Sequence, residues 1–240
     1  MYSSNAFVSE VFSQLKQNAT KVISQFEKAT TSITYIMKVS VASVLLLTSS
    51  ASAWTTSRVA NARARTALAG STGIYYSTST GNCETVAGYI GKVAGVEIED
   101  IGDAKDDEIL AHDALIVGAP TWHTGEDEQR SGTSWDDWLY DTLPNLDLSG
   151  KKVAVFGIGD QESYSEYYCD AAGELHDLFK AKGCTICGLT STEGYNHEES
   201  KAEIEEGKFC GLMFDEDNQY DLSEDRASKW VAQLKEEGFF

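Results

Sequence analysis

Three apolar runs, at about 72–77, 114–118 and 153–157, each pass directly into a polar, loop-forming segment. Runs this short and this continuously hydrophobic read as strands buried on both faces, which calls for a parallel sheet covered by helices on each side. In an open α/β sheet of that kind the ligand crevice lies beyond the carboxyl ends of the strands, where the strand order reverses. The loops that follow the three runs are therefore expected to meet there.

The first of these loops, Ser77-Thr78-Ser79-Thr80-Gly81-Asn82-Cys83, is rich in hydroxyls and leads into a helix. Backbone amides at a helix start, the positive end of the helix dipole and neighbouring hydroxyls together make a cradle for an anion. Asn82 follows Gly81 where a nucleoside triphosphatase loop needs Gly-Lys-Ser/Thr, so the expected ligand is a monophosphate rather than ATP. The second loop, Pro120-Thr121-Trp122-His123-Thr124-Gly125, and the third, from Gly159 and Asp160 to Tyr164, each bring an aromatic side chain. A phosphate cradle beside two loop aromatics suits a planar ring held by stacking, with ring centroids about 4.5–7 Å apart.

At these residues the chain resembles the flavodoxins. Thr78-Ser79-Thr80-Gly81-Asn82-Cys83 is similar to the family's Thr-x-Thr-Gly-x-Thr phosphate loop. Trp122 and Tyr164 stand where the flavin-stacking pair is found, and Asp160 where the loop reads the pyrimidine edge. Tyr167, Cys169 and Asp170 complete the candidate contacts to FMN. The runs Gly118-Ala119-Pro120-Thr121-Trp122, Arg130-Ser131-Gly132-Thr133-Ser134-Trp135-Asp136 and Glu198-Glu199-Ser200-Lys201 most resemble the long-chain type of red-lineage algae.

The resemblance implies a low-potential one-electron carrier with non-covalent FMN, working on the semiquinone/hydroquinone couple and lacking catalytic residues. It implies photosystem I as electron donor and ferredoxin-NADP reductase as acceptor, in place of ferredoxin when iron is scarce. The peptide after His123 is expected to reorient on reduction, with Thr124-Gly125 as its flexible neighbour. Two departures stand out. Cys83 replaces the last motif threonine, exchanging a hydroxyl for a weak thiol donor, which bears on phosphate affinity. His123 stands where asparagine is expected and brings an ionisable ring to the edge of the flavin.

Composition changes abruptly along the chain. No acidic residue occurs from Lys28 to Cys83. Of the 19 basic and 38 acidic residues, seven basic and two acidic ones precede Ser71, which leaves 12 against 36 and a net charge of −24 for residues 71–240. Such a surface is soluble, repels nucleic acid phosphates and steers basic partners by salt-sensitive association. Within the front segment, Met37-Lys38 precedes an apolar run at 39–47 and the small residues Ala51-Ser52-Ala53, as in a secretory signal peptide. The run is too short to span a bilayer, so stable membrane insertion is not expected. Residues 54–68 are basic and rich in Ser, Thr and Ala, as plastid transit peptides are.

The expected organisation is an upstream extension at 1–36, a signal peptide at 37–53, a transit peptide at 54–70 and one FMN-binding domain at 71–240. This resembles the bipartite presequence of algae whose plastid descends from a red alga, and implies delivery to the plastid stroma, with a mature chain starting near 67–71. The domain is expected to be monomeric.

The same reading places helices at 82–93, 135–143, 165–182 and 226–237, and strands at 96–99 and from 185. A polar stretch at 191–208 reads as an insertion splitting the fifth strand, whose apolar character resumes at 209–214. The fold expected is a five-stranded parallel sheet ordered 2-1-3-4-5 with helices on both faces. The five cysteines form no paired motif; Cys184 and Cys187 are three apart in a strand-like run and point to opposite faces, so neither a disulfide nor a shared metal is expected. An NAD(P)H:quinone reductase on the same fold is the alternative reading. A response-regulator-like module would need an acidic pocket after the first strand, where this chain has Ser and Thr.

Overall fold

The computed structural model describes residues 71–240, so the extension, signal and transit segments expected over 1–70 lie outside the described residues. In chain order the elements are β1 (Thr72–Tyr76), α1 (Asn82–Ala94), β2 (Ile98–Asp100), α2 (Asp106–Ala111), β3 (Ala114–Pro120), α3 (Ser134–Asp137) and β4 (Lys152–Ile158). Then come α4 (Asp170–Ala181), β5 (Thr185–Cys187), β6 (Thr190–Ser191), β7 (Glu203–Glu205), β8 (Lys208–Phe209), β9 (Gly211–Phe214) and α5 (Ser223–Glu236).

The main sheet is parallel and ordered β2-β1-β3-β4-β5, as the apolar runs require. Every residue of β3 is buried. Because successive side chains in a strand point to opposite faces, the sheet feeds two cores. Tyr75, Leu115, Val117, Val153 and Val155 pack with Trp135, Leu175 and Phe179 on one side. Ile74, Ile116, Ala154 and Phe156 pack with Val86 and Ile90 of α1 and Trp230 and Val231 of α5 on the other.

The fifth strand is divided. β5 pairs with Lys152 to Ala154, and β9 takes the same edge beside Val155 to Ile158. Between them β6, β8 and β7 form a small antiparallel sheet, so the polar stretch read as an insertion has a sheet of its own. Tyr195 and Phe209 meet edge to face at 5.2 Å, and His197 and Tyr168 pack around them, which supplies the small apolar centre that the polar sequence conceals.

Two expected helices differ in form, and one helix was not expected. At 135–143 there is one α turn, then a wide turn at Trp138–Thr142 and a tight one at Leu143–Asn145. Trp135 donates its ring N–H to the Gly118 carbonyl at 2.8 Å and stands edge-on to Trp138 at 5.3 Å, so both indoles reach one core and the backbone adapts. At 165–182 the helix begins only at Asp170, because Cys169 sits in the left-handed region with φ 56. The acidic run after Asp100 contains α2, whose first turn carries Asp106, Asp107 and Glu108, all favourable at the positive end of the helix dipole. The second strand falls two residues later than expected, and α5 starts three earlier.

A Cβ at Gly211 would lie 1.9 Å from the Val155 carbonyl oxygen. Gly211→Ala should therefore push β9 away from β4 and lower stability by about 3 kcal/mol or more; an unchanged denaturation midpoint would contradict that packing. At the other end of the sheet, burial and then the Lys151 charge hold the His112 imidazole below its ordinary range, and its Nδ1 is buried without a partner. The unfolded chain then binds a proton more readily than the folded one. The stability His112 contributes is present above about pH 6.5 and is lost as pH falls through its folded value. His112→Gln should flatten the fall in urea midpoint between pH 7 and pH 5.

Candidate FMN crevice

A crevice of about 510 Å³ opens at the carboxyl ends of β1, β3, β4 and β9. It is lined by Thr78, Thr80, Asn82 and Cys83 from the first loop, by Pro120, Thr121, Trp122 and Thr124 from the second, and by Gly159, Asp160 and Tyr164 from the third. Ile158 and Asp217 complete the lining and were not anticipated. Asp217 follows β9, so extending the strand-end rule to the second half of the divided strand would have found it.

The phosphate end is built by backbone geometry. Gly81 has φ 94, a conformation costly for any residue with a Cβ, and it precedes α1, which has no side-chain cap. The amides of the first helical turn are thus free of side-chain competitors. Thr78 Oγ1 accepts the Gly81 N–H at 2.9 Å and holds the loop closed, and Thr85 Oγ1 donates to the Gly81 carbonyl at 3.0 Å. Ser77 is buried and turned toward the Asp100 carboxylate at 3.4 Å, while Ser79 Oγ reaches the Gly132 carbonyl at 3.5 Å. Cys83 is 1% exposed, with Sγ 3.7 Å from the Gly118 carbonyl, and burial pushes its thiol well up. It forms the floor of the cradle as a neutral, weakly polar group.

Trp122 is 50% exposed and Tyr164 55%, whereas the other tryptophans of residues 71–240 are buried. Two large aromatics left half in water on opposite loops of one crevice leave apolar area that a flat ligand would cover. The backbone N–H groups of Trp122 and His123 both donate to the Arg130 carbonyl at 3.1 Å, so the loop doubles back on itself. His123 Nδ1 lies 2.7 Å from the Gln129 carbonyl and therefore carries the proton, and the ring stands outside the crevice lining. Gly125 has φ 82 and lies against the Tyr167 ring.

On the third loop Asp160 Oδ1 accepts from the Glu162 and Ser163 amides and from Asn218. Burial would raise its pKa, but these hydrogen bonds outweigh it and hold the carboxyl below its usual range. Burial, then Asp160 and Asp215, pushes the neighbouring Asp217 up.

Besides His123, four candidates beyond the first loop, Gly125, Tyr167, Cys169 and Asp170, lie outside the crevice lining. Cys169 is fully buried with Sγ toward the Phe214 carbonyl, because the left-handed turn at that residue drops the chain into α4. Tyr167 and Asp170 line a separate concavity of about 680 Å³ beside the small sheet, where Asp170 accepts the Lys201 amide. That concavity is the larger of the two, yet its walls carry Glu126, Asp127, Glu166, Glu198, Glu199 and further carboxylates with only Lys201 opposing them. A phosphate would be repelled there.

Among known proteins, the flavodoxin family model matches residues 74–230. The chain belongs to the flavodoxin family. Flavodoxin 1 of Escherichia coli is 42% identical over 169 residues, covering 69% of this chain and 93% of that protein. The flavodoxin of Synechocystis is 42% identical over 167 residues, covering 68% and 95%. The crystal structure of Fusobacterium nucleatum flavodoxin bound to flavin mononucleotide matches with a TM-score of 0.62 and 32% identity, covering 70% of this chain and 98% of that one. Flavodoxins are FMN electron-transfer proteins rather than enzymes, and the flavodoxin crevice here has the parts that FMN needs: an uncapped helix start for the phosphate and two half-exposed aromatics for the ring.

All five cysteines are free, four are buried, and only Cys187 is partly exposed, its thiol also pushed up by burial. Titration of the native protein with Ellman's reagent should modify one thiol, slowly, and Cys187→Ser should abolish that reaction. Rapid modification of Cys83 would contradict its place beneath the cradle.

Proposed function

We propose that this flavodoxin holds FMN non-covalently in the crevice and carries single electrons from photosystem I to ferredoxin-NADP reductase, substituting for ferredoxin when iron is scarce. FMN supplies the one-electron redox chemistry. The chain supplies the environment. The observation that carries the reading is the pairing of an uncapped α1 N-terminus with Trp122 and Tyr164 across one crevice.

The α1 amides and the Thr78 and Thr80 hydroxyls hold the phosphate without a cation, which leaves the site short of positive charge. Trp122 and Tyr164 orient the ring and exclude water from its faces. Thr124 lines the crevice and Gly125 follows it at φ 82, so on this reading the peptide between them would offer a backbone group at the edge of the ring. Asp160 and Asp217 in the lining oppose any negative charge arriving there. One carboxylate about 10 Å away costs such a charge roughly 1.7 kcal/mol at an effective dielectric of 20 before salt screening. For a one-electron step that is about 70 mV, so a few carboxylates suffice to make the potential low.

The acidic surface steers basic partners, and the acid-free, basic segment at 54–68 after a signal-like segment supports delivery to a plastid of red-algal descent. On this reading the stromal protein begins near residues 67–71.

Stepwise anaerobic reduction of residues 71–240 loaded with FMN tests the central claim. A carrier should show two resolved one-electron stages and no response to NADPH alone; in the presence of illuminated photosystem I membranes and ferredoxin-NADP reductase it should support NADPH formation. Direct bleaching by NADPH would favour the reductase, and failure to take up FMN would remove the proposal.

A further inference from the structure

The segment that returns from the second loop toward α3 has an unusual backbone. Four consecutive amides, those of Gln129, Arg130, Ser131 and Gly132, all donate to two buried carboxylates. Glu174 of α4, 5% exposed, accepts Gln129 N–H at 2.7 Å on one oxygen and Arg130 N–H at 2.9 Å on the other. Asp136 of α3, 8% exposed, accepts Ser131 N–H at 3.1 Å and Gly132 N–H at 2.9 Å, together with the Ser131 hydroxyl at 2.6 Å. Gln129 is one of only two described non-glycine residues with positive φ, at 58. A left-handed residue turns successive N–H groups to one side and makes a concave anion nest, and here the anion is the protein's own side chain. The Tyr140 hydroxyl donates to the same Glu174 oxygen at 2.5 Å, and neither carboxylate has a Lys or Arg ion-pair partner within 4.0 Å among the described residues.

What the carboxylates hold is the back of the stacking loop. The Arg130 carbonyl takes the amides of Trp122 and His123, the Gln129 carbonyl takes the His123 ring, and a Cβ at Gly132 would lie 2.8 Å from Trp122 Cβ. We propose that Glu174 and Asp136 are positioning residues for the flavin: neither lines the crevice, but together they seat residues 129–132, on which Trp122 rests at stacking height. Glu174 does so from α4, so it ties the loop to the helix beneath the small sheet of the insertion. This rests on the FMN reading above.

An amide in place of either carboxylate keeps the volume but turns an NH2 group toward one of the two backbone donors, leaving that donor without an acceptor. Tyr140→Phe removes a hydrogen bond from Glu174 while both loop amides stay bound, and so separates loss of a nearby contact from loss of the seat.

The experiment uses residues 71–240 as apoprotein and with FMN, at a temperature well below melting, comparing the parent with Glu174→Gln, Asp136→Asn and Tyr140→Phe. In the apoprotein, amide exchange should accelerate at Gln129 and Arg130 in Glu174→Gln and at Ser131 and Gly132 in Asp136→Asn. Tyr140→Phe should leave all four protected. The FMN dissociation constant should rise about tenfold in each carboxylate variant, the scale of one buried unmatched donor, and by less than twofold in Tyr140→Phe. The visible circular dichroism of bound FMN, which reports how Trp122 lies on the ring, should change only in the carboxylate variants.

Unchanged exchange, or accelerated exchange with affinity and dichroism both as in the parent, would overturn the proposal. If one carboxylate variant does not fold, the other decides by the same criteria. If the parent takes up no FMN, the FMN reading fails while exchange in the apoprotein still reports on the seat.

Discussion

β3 offers solvent neither face: all seven of its residues are buried, from Ala114 to Pro120, and its neighbours β1 and β4 are nearly as enclosed. A chain built around such a strand can present polar groups only where the strands end. The three loops that leave β1, β3 and β4 therefore converge, and a fourth, after β9, joins them because the divided fifth strand delivers Phe214 to the same edge. Even the packing under the crevice follows from this crowding. The Gly118 carbonyl receives the Trp135 ring N–H and lies 3.7 Å from the Cys83 thiol, and Gly118 itself leaves the space that the Phe156 ring fills.

Charge then divides the surface by function. The crevice collects backbone amides, hydroxyls and aromatic faces, with Asp160 and Asp217 at its edge. The concavity beside the insertion collects carboxylates. An anion is repelled at the second, although the second is larger, because carboxylates crowd its walls with Lys201 alone opposing them, whereas the first meets the uncapped α1 amides. The absence of a lysine from the loop before α1 keeps the crevice poor in positive charge, the condition that the proposed low-potential role calls for.

Much of this was legible in residues alone. Continuous apolar runs announced buried parallel strands, and Gly81 and the hydroxyls before Asn82 announced the cradle. The pair Trp122 and Tyr164 was visible because bulky aromatics in otherwise polar loops have little reason to be there without a flat partner. Less visible was anything set by contacts between distant segments. Nothing local marks Cys169 as core and Tyr164 as surface five residues earlier; the left-handed backbone at Cys169 does, and it is imposed by packing against Gly159 and Phe214. The small antiparallel sheet was hidden for the same reason, since its aromatic centre draws Tyr168 from outside the polar stretch.

The sequence by itself determined the buried parallel strands, the hydroxyl-rich loop before α1 and the sign of the surface charge, because each depends on short-range pattern and composition. Tertiary structure alone decided which carboxylates serve the site and which merely solvate the surface. Glu174 and Asp136 are indistinguishable in the sequence from the other 34 acidic residues in 71–240. They differ only because α4 and α3 bring them, buried, against four backbone amides of the loop that carries Trp122. A buried carboxylate survives only where donors surround it, and that arrangement exists only once the chain has folded.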